Sequence, residues 1–367
     1  MENKIFSLIR EAERFRTKAK YTEALKLFKK AKAFSGKYSD LSGMLDSTIA
    51  MADIYRITGD FDRAIRNYED ALNIAETMHD DLTAADSMTG LGLSLRAIGM
   101  WRDAIKFIKT ARKVYEMDRD KKGIAFSLWA EAGALRVKGD INGAINRFKK
   151  SRNIFSSIKY QSGIAYAICG LGGAYRIAGK YGDSLRYYKQ ANEIFRKVRD
   201  RFGLAYSYCG IGNAYRMKGN FADALKYFKK ATQLYKKIGD IVSFSYTLLS
   251  LASLQKIKNN FTGTRAFIKE ALKNFRRTKD PRGIIYCYLI IGEMKLIEGR
   301  KNTAKKYFLY AFDNSEKHGF MLEKCHAALL LHHAGDLKHR GMADFKPASC
   351  YKKIGVSVNF SIPFNMP

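Results

Sequence analysis

Hydrophobic, small and polar positions recur along this chain with a period of 40 residues. The stretch CGIGNAYRMKGNFADALKYFKKA, which begins at Cys209, matches CGLGGAYRIAGKYGDSLRYYKQA, 40 residues upstream, in its small residues, its aromatic residues and one arginine. On both sides of a central glycine, apolar residues fall at the spacing of one helix face. Each unit is therefore predicted to be two amphipathic helices joined at that glycine. The turn glycines are Gly59, Gly99, Gly139, Gly179, Gly219 and Gly299, and Asn259 takes the remaining place.

Small residues hold fixed places around each turn: seven positions before it, five after it and twelve after it. They let two helices approach closely, and the hairpin so formed leaves an apolar face that needs a neighbour. Asp120, Asp200, Asp240 and Asp280 stand where the next unit begins and are predicted to cap its first helix. The pattern predicts an all-α fold, an α-solenoid over residues 1–340. It should contain about seven regular hairpins, a matching N-terminal segment and a degenerate C-terminal capping unit, followed by an irregular tail over residues 341–367.

The small and aromatic positions within one unit resemble a known repeat family. They are Ile211, Gly212, Tyr215, Gly219, Phe221, Ala224, Phe228 and Ala231. This set resembles the tetratricopeptide repeat (TPR), over about residues 1–340. The period of 40 exceeds the usual ~34 and the usual helix-ending proline is missing, and both departures resemble the long repeats of Pins-type adaptors, kinesin light chains and bacterial peptide-sensing receptors. The resemblance implies a right-handed superhelix with a concave, partner-binding groove, and it implies no reaction.

One face of each unit's first helix is assigned by helical geometry to the groove. Thirteen positions before the turn it carries Asp46, Asp86, Phe126, Tyr166, Tyr206, Tyr246 and Tyr286. Tyrosine rings with polar tips suit recognition, and very small residues beside them would let a ligand backbone come close, although tight helix packing also needs small residues. Asn213 resembles the asparagine with which many family members hold a peptide backbone, but it occurs in one regular unit only. The predicted aromatic wall is Phe126, Tyr166, Tyr206, Tyr246 and Tyr286, with Asn213 beside it.

A basic residue lies three positions before the turn in successive units. The set is Arg16, Arg56, Arg96, Arg136, Arg176 and Arg216, followed by Lys256. One interpretation is an exposed ion pair with a carboxylate such as Asp60 or Asp140, and another is an aliphatic stem that covers the neighbouring helix. The functional interpretation is a cationic row beside the groove, in which Arg96, Arg136, Arg176 and Arg216 bind carboxylate or phosphate groups of a partner.

The chain has 66 Lys and Arg residues against 35 Asp and Glu residues, a formal net charge of +31. This excess favours acidic partners, nucleic acid or an anionic membrane surface, unless it serves solubility alone. A second basic stripe falls on the outer face of the second helices: Lys26, Arg66, Lys106, Arg186, Lys226 and Lys306. We therefore expect an acidic protein or peptide partner in the groove, with a nucleic acid or membrane surface on the outer face as the alternative.

No motif for catalysis or nucleotide binding is found, so a non-enzymatic adaptor or scaffold without a cofactor is expected. Five of the six histidines lie between His318 and His339, with Cys325 among them. Zinc would accept such residues, but the spacing suits a polar capping helix better, so no metal is predicted. The five cysteines are odd in number and include no CxxC motif, which favours a reducing, cytoplasmic compartment.

The final stretch, GVSVNFSIPFNMP, breaks the repeat. Apolar residues alternate at Val356, Val358, Phe360 and Ile362, which predicts an extended strand. Since a helical solenoid offers no sheet, the hypothesis is that this tail occupies the groove of its own or of another copy. The oligomeric state does not follow from the sequence.

Overall fold

The computed structural model describes residues 2–335 and 347–357, and every regular element in those ranges is a helix. The helices are α1 (Glu2–Thr17), α2 (Tyr21–Lys37), α3 (Leu41–Thr58), α4 (Phe61–Thr77), α5 (Asp81–Ala97), α6 (Trp101–Met117), α7 (Lys121–Lys138), α8 (Ile141–Ser157), α9 (Gln161–Ile177), α10 (Tyr181–Lys197), α11 (Arg201–Met217), α12 (Phe221–Ile238), α13 (Ile241–Ile257), α14 (Phe261–Arg277), α15 (Pro281–Ile297), α16 (Lys301–His318), α17 (Met321–His333) and α18 (Pro347–Lys353). Helices α1 to α16 form eight stacked hairpins, of which the first is the N-terminal segment. The predicted all-α solenoid is therefore confirmed. None of the described helices is both long and apolar enough to span a membrane.

Local chemistry fixes where these helices begin and end. The predicted caps are confirmed: Asp200 accepts a hydrogen bond from the backbone N–H of Gly203 at 2.8 Å, and Asp240 accepts one from Ser243 at 2.9 Å. At the other end, Gly59 closes α3 with φ 78, in the left-handed region that favours glycine. A polar start and a glycine stop recur in most units and produce the regular period.

The small positions predicted from the sequence lie where the two helices of a hairpin cross. Ala104, Ala144 and Ala224 are fully buried there. Large side chains of the second helices, such as Phe148 and Phe228, fill the space beside them and are equally buried. Because each hairpin covers the apolar face of the one before it, the core is a continuous layer along the solenoid.

The solenoid curves so strongly that its second superhelical turn packs on its first. A Cβ added at Gly59 would lie 2.7 Å from a Thr278 methyl group and 3.2 Å from a Val242 methyl group, both in the fifth unit further along. Trp101 Nε1 donates to the backbone oxygen of His318 at 3.0 Å, across the same boundary. The sequence predicts a concave groove, and the second superhelical turn encloses much of that surface as an interior.

The C-terminal end closes over α17. Cys325 of α17 and Cys350 of α18 form a disulfide, with Cα atoms 5.8 Å apart. Buried His326 shares a 2.6 Å hydrogen bond with the hydroxyl of Tyr351. The helix α18 lies within the segment predicted to be irregular. Buried Val356 packs in a cluster with Ile177 and Leu322, whereas the other predicted strand residues Val358, Phe360 and Ile362 lie outside the described residues.

Candidate functional site

Two adjoining cavities lie inside the superhelix. One has a volume of about 260 Å³ and lies among α9, α11, α13 and α15. The other, of about 510 Å³, lies nearer the N-terminus between α5, α7 and α9 on one side and α12 and α13 of the second turn on the other. Arg136 and Tyr206 line both cavities, so we treat them as one interior cavity. Its wall includes the ten predicted groove residues: Arg96, Phe126, Arg136, Tyr166, Arg176, Tyr206, Asn213, Arg216, Tyr246 and Tyr286.

Four basic residues of the row reach the position six residues before the turn of the next unit: Arg16, Arg96, Arg136 and Lys256. The guanidinium of Arg96 occupies the space that a Cβ at Gly133 would need. Arg136 does the same at Gly173, where a Cβ would lie 2.6 Å from Nη1. These two glycines therefore leave room for arginine side chains of the preceding unit, and the charges are held against the interior wall.

Acidic residues at that same position neutralise the two ends of the row. Arg16 lies 3.9 Å from Asp53, and Lys256 forms a buried ion pair with Glu293. Arg56 also pairs with Asp53, at 3.1 Å.

The middle of the row differs from its ends, because the facing positions hold Gly133, Gly173 and Asn213. Within the part of the chain that the structure describes, no carboxylate lies at ion-pair distance from Arg96, Arg136 or Arg176. The Nε of Arg176 is buried and has no hydrogen-bond partner among the described atoms.

The suggested ion pairs with Asp60 or Asp140 are not the ones observed for this row. Asp140 instead accepts a hydrogen bond from the backbone of Gly143 as the cap of α8, and Asp60 pairs with Arg63 at 3.6 Å. Among the described residues, Arg96, Arg136 and Arg176 are therefore neutralised neither by an acidic residue of the next unit nor by Asp60 or Asp140.

Burial and repulsion between neighbouring arginines disfavour the charged forms of some residues in the row. Burial, together with the charge of neighbouring Arg136, lowers the pKa of Arg96 to about 10. Burial, together with the charge of Arg176, lowers the pKa of Arg216 to about 10. Burial also acts to lower the pKa of Arg136, but Tyr206 and Tyr188 outweigh it and raise that pKa overall. An anion placed between these side chains would relieve the repulsion within the row.

The aromatic wall divides into two kinds of residue. Tyr246 donates to Oδ2 of Asp280 at 2.9 Å, and Tyr166 lies in hydrogen-bond contact with Asp200, so both tie one unit to the cap of the next. Burial and then the charge of Asp200 raise the pKa of Tyr166. Tyr206 instead contacts Arg136. Thus two of the predicted tyrosines also stabilise the solenoid, and Tyr206 lies beside the row.

Phe126, at the N-terminal end of the wall, is 38 % exposed. It stacks on Trp129 with ring centroids 5.6 Å apart, and Trp129 meets Tyr166 edge-on at 6.1 Å. Trp129 was not predicted as a site residue, although its three-residue spacing from Phe126 places both on one helix face. These rings provide an apolar surface next to the arginines.

The glycines nine positions before the turn serve packing. The ring of Phe148 lies against Gly170 and the ring of Tyr188 lies against Gly210, so closely that a Cβ would overlap either ring. Asn213 is 7 % exposed; its Nδ2 donates to the Cys209 oxygen at 3.2 Å, and its Oδ1 accepts from Arg216. Both amide groups of Asn213 thus have partners within the protein.

Acidic residues close the C-terminal end of the interior. The sequence pattern places Glu293 on the groove wall without pairing it with a basic residue, and it gives Glu323 no role. Glu293 pairs with Lys256, and buried Glu323 accepts from Arg282 Nε at 2.6 Å. The pairing of Glu293 could have been found by comparing the position six before the turn with the basic residue of the preceding unit. Glu323 lies beyond the regular units, so its pairing with Arg282 gave no such signal.

The outer basic stripe lies on the solvent-exposed face, as predicted. Its members Lys26, Arg66, Lys106, Arg186, Lys226 and Lys306 are all exposed. In the histidine-rich segment, Cys325 forms a disulfide with Cys350 and His326 shares a hydrogen bond with Tyr351, while His332 and His333 are exposed. His339 lies outside the described residues. No group of three or more potential metal ligands occurs in the described ranges.

Stacked helix hairpins around a lined interior define the class of protein: a helical repeat scaffold that presents an inner surface. Tetratricopeptide repeat matches cover residues 15–77, 44–117 and 163–237. Together with the fold, they identify the chain as a tetratricopeptide repeat protein.

Solved structures with a similar fold include a Rap protein complexed with competence and sporulation factor. It is 17% identical, with a TM-score of 0.64, and the match covers 96% of this chain and 97% of that one. The Rap conjugation gene regulator of plasmid pLS20, in complex with the Phr* peptide, is 14% identical, with a TM-score of 0.62 and 95% coverage of both chains. The apo form of RapI is 17% identical, with a TM-score of 0.54, 75% coverage of this chain and 98% of that one. Among curated proteins, none matches the sequence significantly. At these identities the likeness concerns the fold alone.

Proposed function

We propose that this protein is a non-enzymatic scaffold that binds an extended acidic peptide segment in its interior cavity. One observation carries the proposal: the interior arginines Arg96, Arg136 and Arg176 have no carboxylate partner among the described residues, although the same position is neutralised by Asp53 and Glu293 at the two ends of the row. The two Rap structures in complex with a factor or a peptide support a peptide ligand.

Energetics favour an anion at the middle of the row. Buried charges are costly unless they are paired, and the lowered pKa of Arg96 reports such a cost. A ligand carboxylate would form charge-assisted hydrogen bonds with the guanidinium groups. The rings of Trp129 and Tyr206 would cover the apolar parts of the same ligand.

The repeat also suggests the spacing of the ligand's charges. An extended peptide advances about 3.3 Å per residue, and successive packed helices lie about 10 Å apart. Side chains about three residues apart along the ligand would therefore meet successive arginines. The preferred ligand should carry an acidic residue at every third position.

The test uses a fluorescein-labelled peptide of Glu-Ser-Ser repeats and its Gln-Ser-Ser counterpart. Fluorescence anisotropy should show binding of the glutamate peptide and little binding of the glutamine peptide. The change of Arg136 to Gln removes one charged hydrogen bond, worth about 1.5–3 kcal/mol, and should weaken binding by roughly 10- to 150-fold. The triple variant Arg96→Gln/Arg136→Gln/Arg176→Gln should abolish it.

A matched control removes three charges from the outer face instead: Arg66→Gln/Lys106→Gln/Lys226→Gln. This variant should keep nearly full affinity, because exposed charges are screened by salt. If it loses binding while the interior triple variant keeps it, the outer-face polyanion alternative is correct. Circular dichroism melting of each variant excludes unfolding as the cause. Equal affinity for both peptides would disprove the proposal.

A further inference from the structure

Where the two superhelical turns pack together, hairpin turns on one side contact linkers between units on the other. At the two ends of the molecule, the same two kinds of surface are exposed. Within the chain, turns of early units pack on linkers of later units: Gly99 meets Phe320 and Pro281, and Gly139 meets Met321. We name the exposed linkers of the first superhelical turn the linker rim: residues 38–41, 78–82, 117–121, 158–161 and 198–201. We name the turns of the later units the turn rim: residues 217–220, 257–260 and 297–300.

The linker rim carries an apolar stripe. Six of the large hydrophobic residues exposed in the described chain lie on it or directly beside it: Tyr38, Leu41, Leu82, Met117, Tyr160 and Val198. Single exposed apolar residues are ordinary, but a row of them along one edge indicates an interaction surface.

In the second superhelical turn, residues at several of the unit positions of this apolar stripe are covered by the first superhelical turn. Tyr38 is 43 % exposed and Val198 is 37 % exposed, whereas Ile238, at the same place in its unit, is 4 % exposed. A Cβ at Gly59 would contact the methyl groups of Ile241 and Val242 across the boundary between turns. Those two residues hold the unit positions of Leu41 and Leu82.

The turn rim shows the complementary difference at Ile297, although Met217, at the same place on the rim, is only 7 % exposed. Ile297 is 39 % exposed, whereas Val137 and Ile177, at the same place in their units, are 8 % and 4 % exposed. Val137 packs with Phe320 and Ile177 packs with Leu322, both from the second superhelical turn. At Gly219 and Gly299, no described atom lies within 4 Å of an added Cβ.

We propose that a second copy of this chain docks its turn rim on the linker rim, repeating between molecules the contact that joins the two turns within one molecule. Because the two rims are different surfaces, the association is head-to-tail and can continue into longer assemblies. Apart from Tyr160, which also lines the larger cavity, this interface is separate from the interior cavity, and it does not depend on the proposed peptide binding.

The net charge of +31 opposes this association through repulsion between copies. At about 0.15 M salt the screening length is about 8 Å, so added salt should strengthen self-association. The proposed interior site should respond to salt in the opposite direction, since it binds an anion.

The experiment is sedimentation velocity on the full chain over a concentration series. Wild type should show an average mass that rises above the 41.7 kDa of one copy. Two variants each block one rim: Leu41→Lys/Leu82→Lys for the linker rim and Ile257→Lys/Ile297→Lys for the turn rim. Each should remain monomeric alone, and an equimolar mixture should stop at a dimer, because only one intact pair of rims remains.

A control variant, Tyr310→Lys, changes a residue of similar exposure, 38 %, in the middle of α16. It should associate like wild type. The proposal is overturned if wild type stays monomeric at every concentration, if both rim variants associate like wild type, or if either rim variant alone forms a dimer. The last result would mean a symmetric contact of one rim with itself.

Discussion

Gly173 offers the sharpest test of why the middle of the arginine row is not neutralised. Gly173 lies at the repeat position six residues before the turn. In other units that position is occupied by Asp53, which faces Arg16, and by Glu293, which faces Lys256. We predict that Gly173→Asp extends the same internal neutralisation to Arg136 and thereby removes part of the ligand site.

The structure sets the expected magnitude. A Cβ at Gly173 would lie 2.6 Å from Arg136 Nη1 and 3.0 Å from the hydroxyl of Tyr188, so the guanidinium must move, and a carboxylate would come within ion-pair reach. That carboxylate competes with the ligand for one charged hydrogen bond of about 1.5–3 kcal/mol. Affinity for the Glu-Ser-Ser peptide should therefore fall by roughly 10- to 150-fold.

The matched control is Gly173→Ala, which displaces the same guanidinium without adding a charge. Alanine also improves helix propensity by about 1 kcal/mol, so a loss of folding is not expected for it. Anisotropy titrations of both variants, with thermal melting alongside, separate charge from displacement. Equal affinities for the alanine and aspartate variants would refute the electrostatic account of the row.

The remaining predictions concern stability. Burial and the nearby charge of Arg282 lower the pKa of His326 to about 3. Below about pH 6.5 this histidine therefore gains a proton in the unfolded chain but not in the folded chain. The free energy of unfolding should accordingly fall by about 2 kcal/mol from pH 7 to pH 5. Urea unfolding should show this slope, reduced in His326→Asn and kept in the exposed control His332→Asn. Reduction of the Cys325–Cys350 disulfide, which closes a 25-residue separation, should cost about 2–4 kcal/mol, whereas a Cys325→Ser variant should no longer respond to reductant. Phe228→Ala empties a fully buried position and should lower the unfolding free energy by about 3–5 kcal/mol in the same assay.

Local features of the fold could be predicted because the repeat presents each of them many times. The turn glycines, the aspartate caps and the buried small residues each follow from chemistry within one unit, so a period of 40 defines the hairpin. The enclosure of the groove could not be predicted in this way. It depends on a small rotation between neighbouring units that accumulates along the solenoid, and the sequence of one unit does not report that rotation.

The candidate site was predictable as a list of wall residues, but its internal pairing was not. Helical geometry places Tyr206 on the inner face and Arg136 beside it, and the structure has both on the cavity wall. The role of Gly173 depends on how far an arginine side chain reaches across to the next unit, which requires coordinates. The C-terminal contacts of His326 with Tyr351 lie beyond the regular repeat, where no second copy of the pattern exists for comparison.

Mapping where the acidic peptide binds tests the central claim most directly. A Glu-Ser-Ser peptide with a photoreactive group should be cross-linked to the protein, and the modified residues identified by mass spectrometry. The account predicts modification on the interior wall, on the helices that carry Trp129, Tyr206 and Tyr246. Modification confined to the outer helix faces around Lys106 and Lys226, with the interior unlabelled, would contradict it.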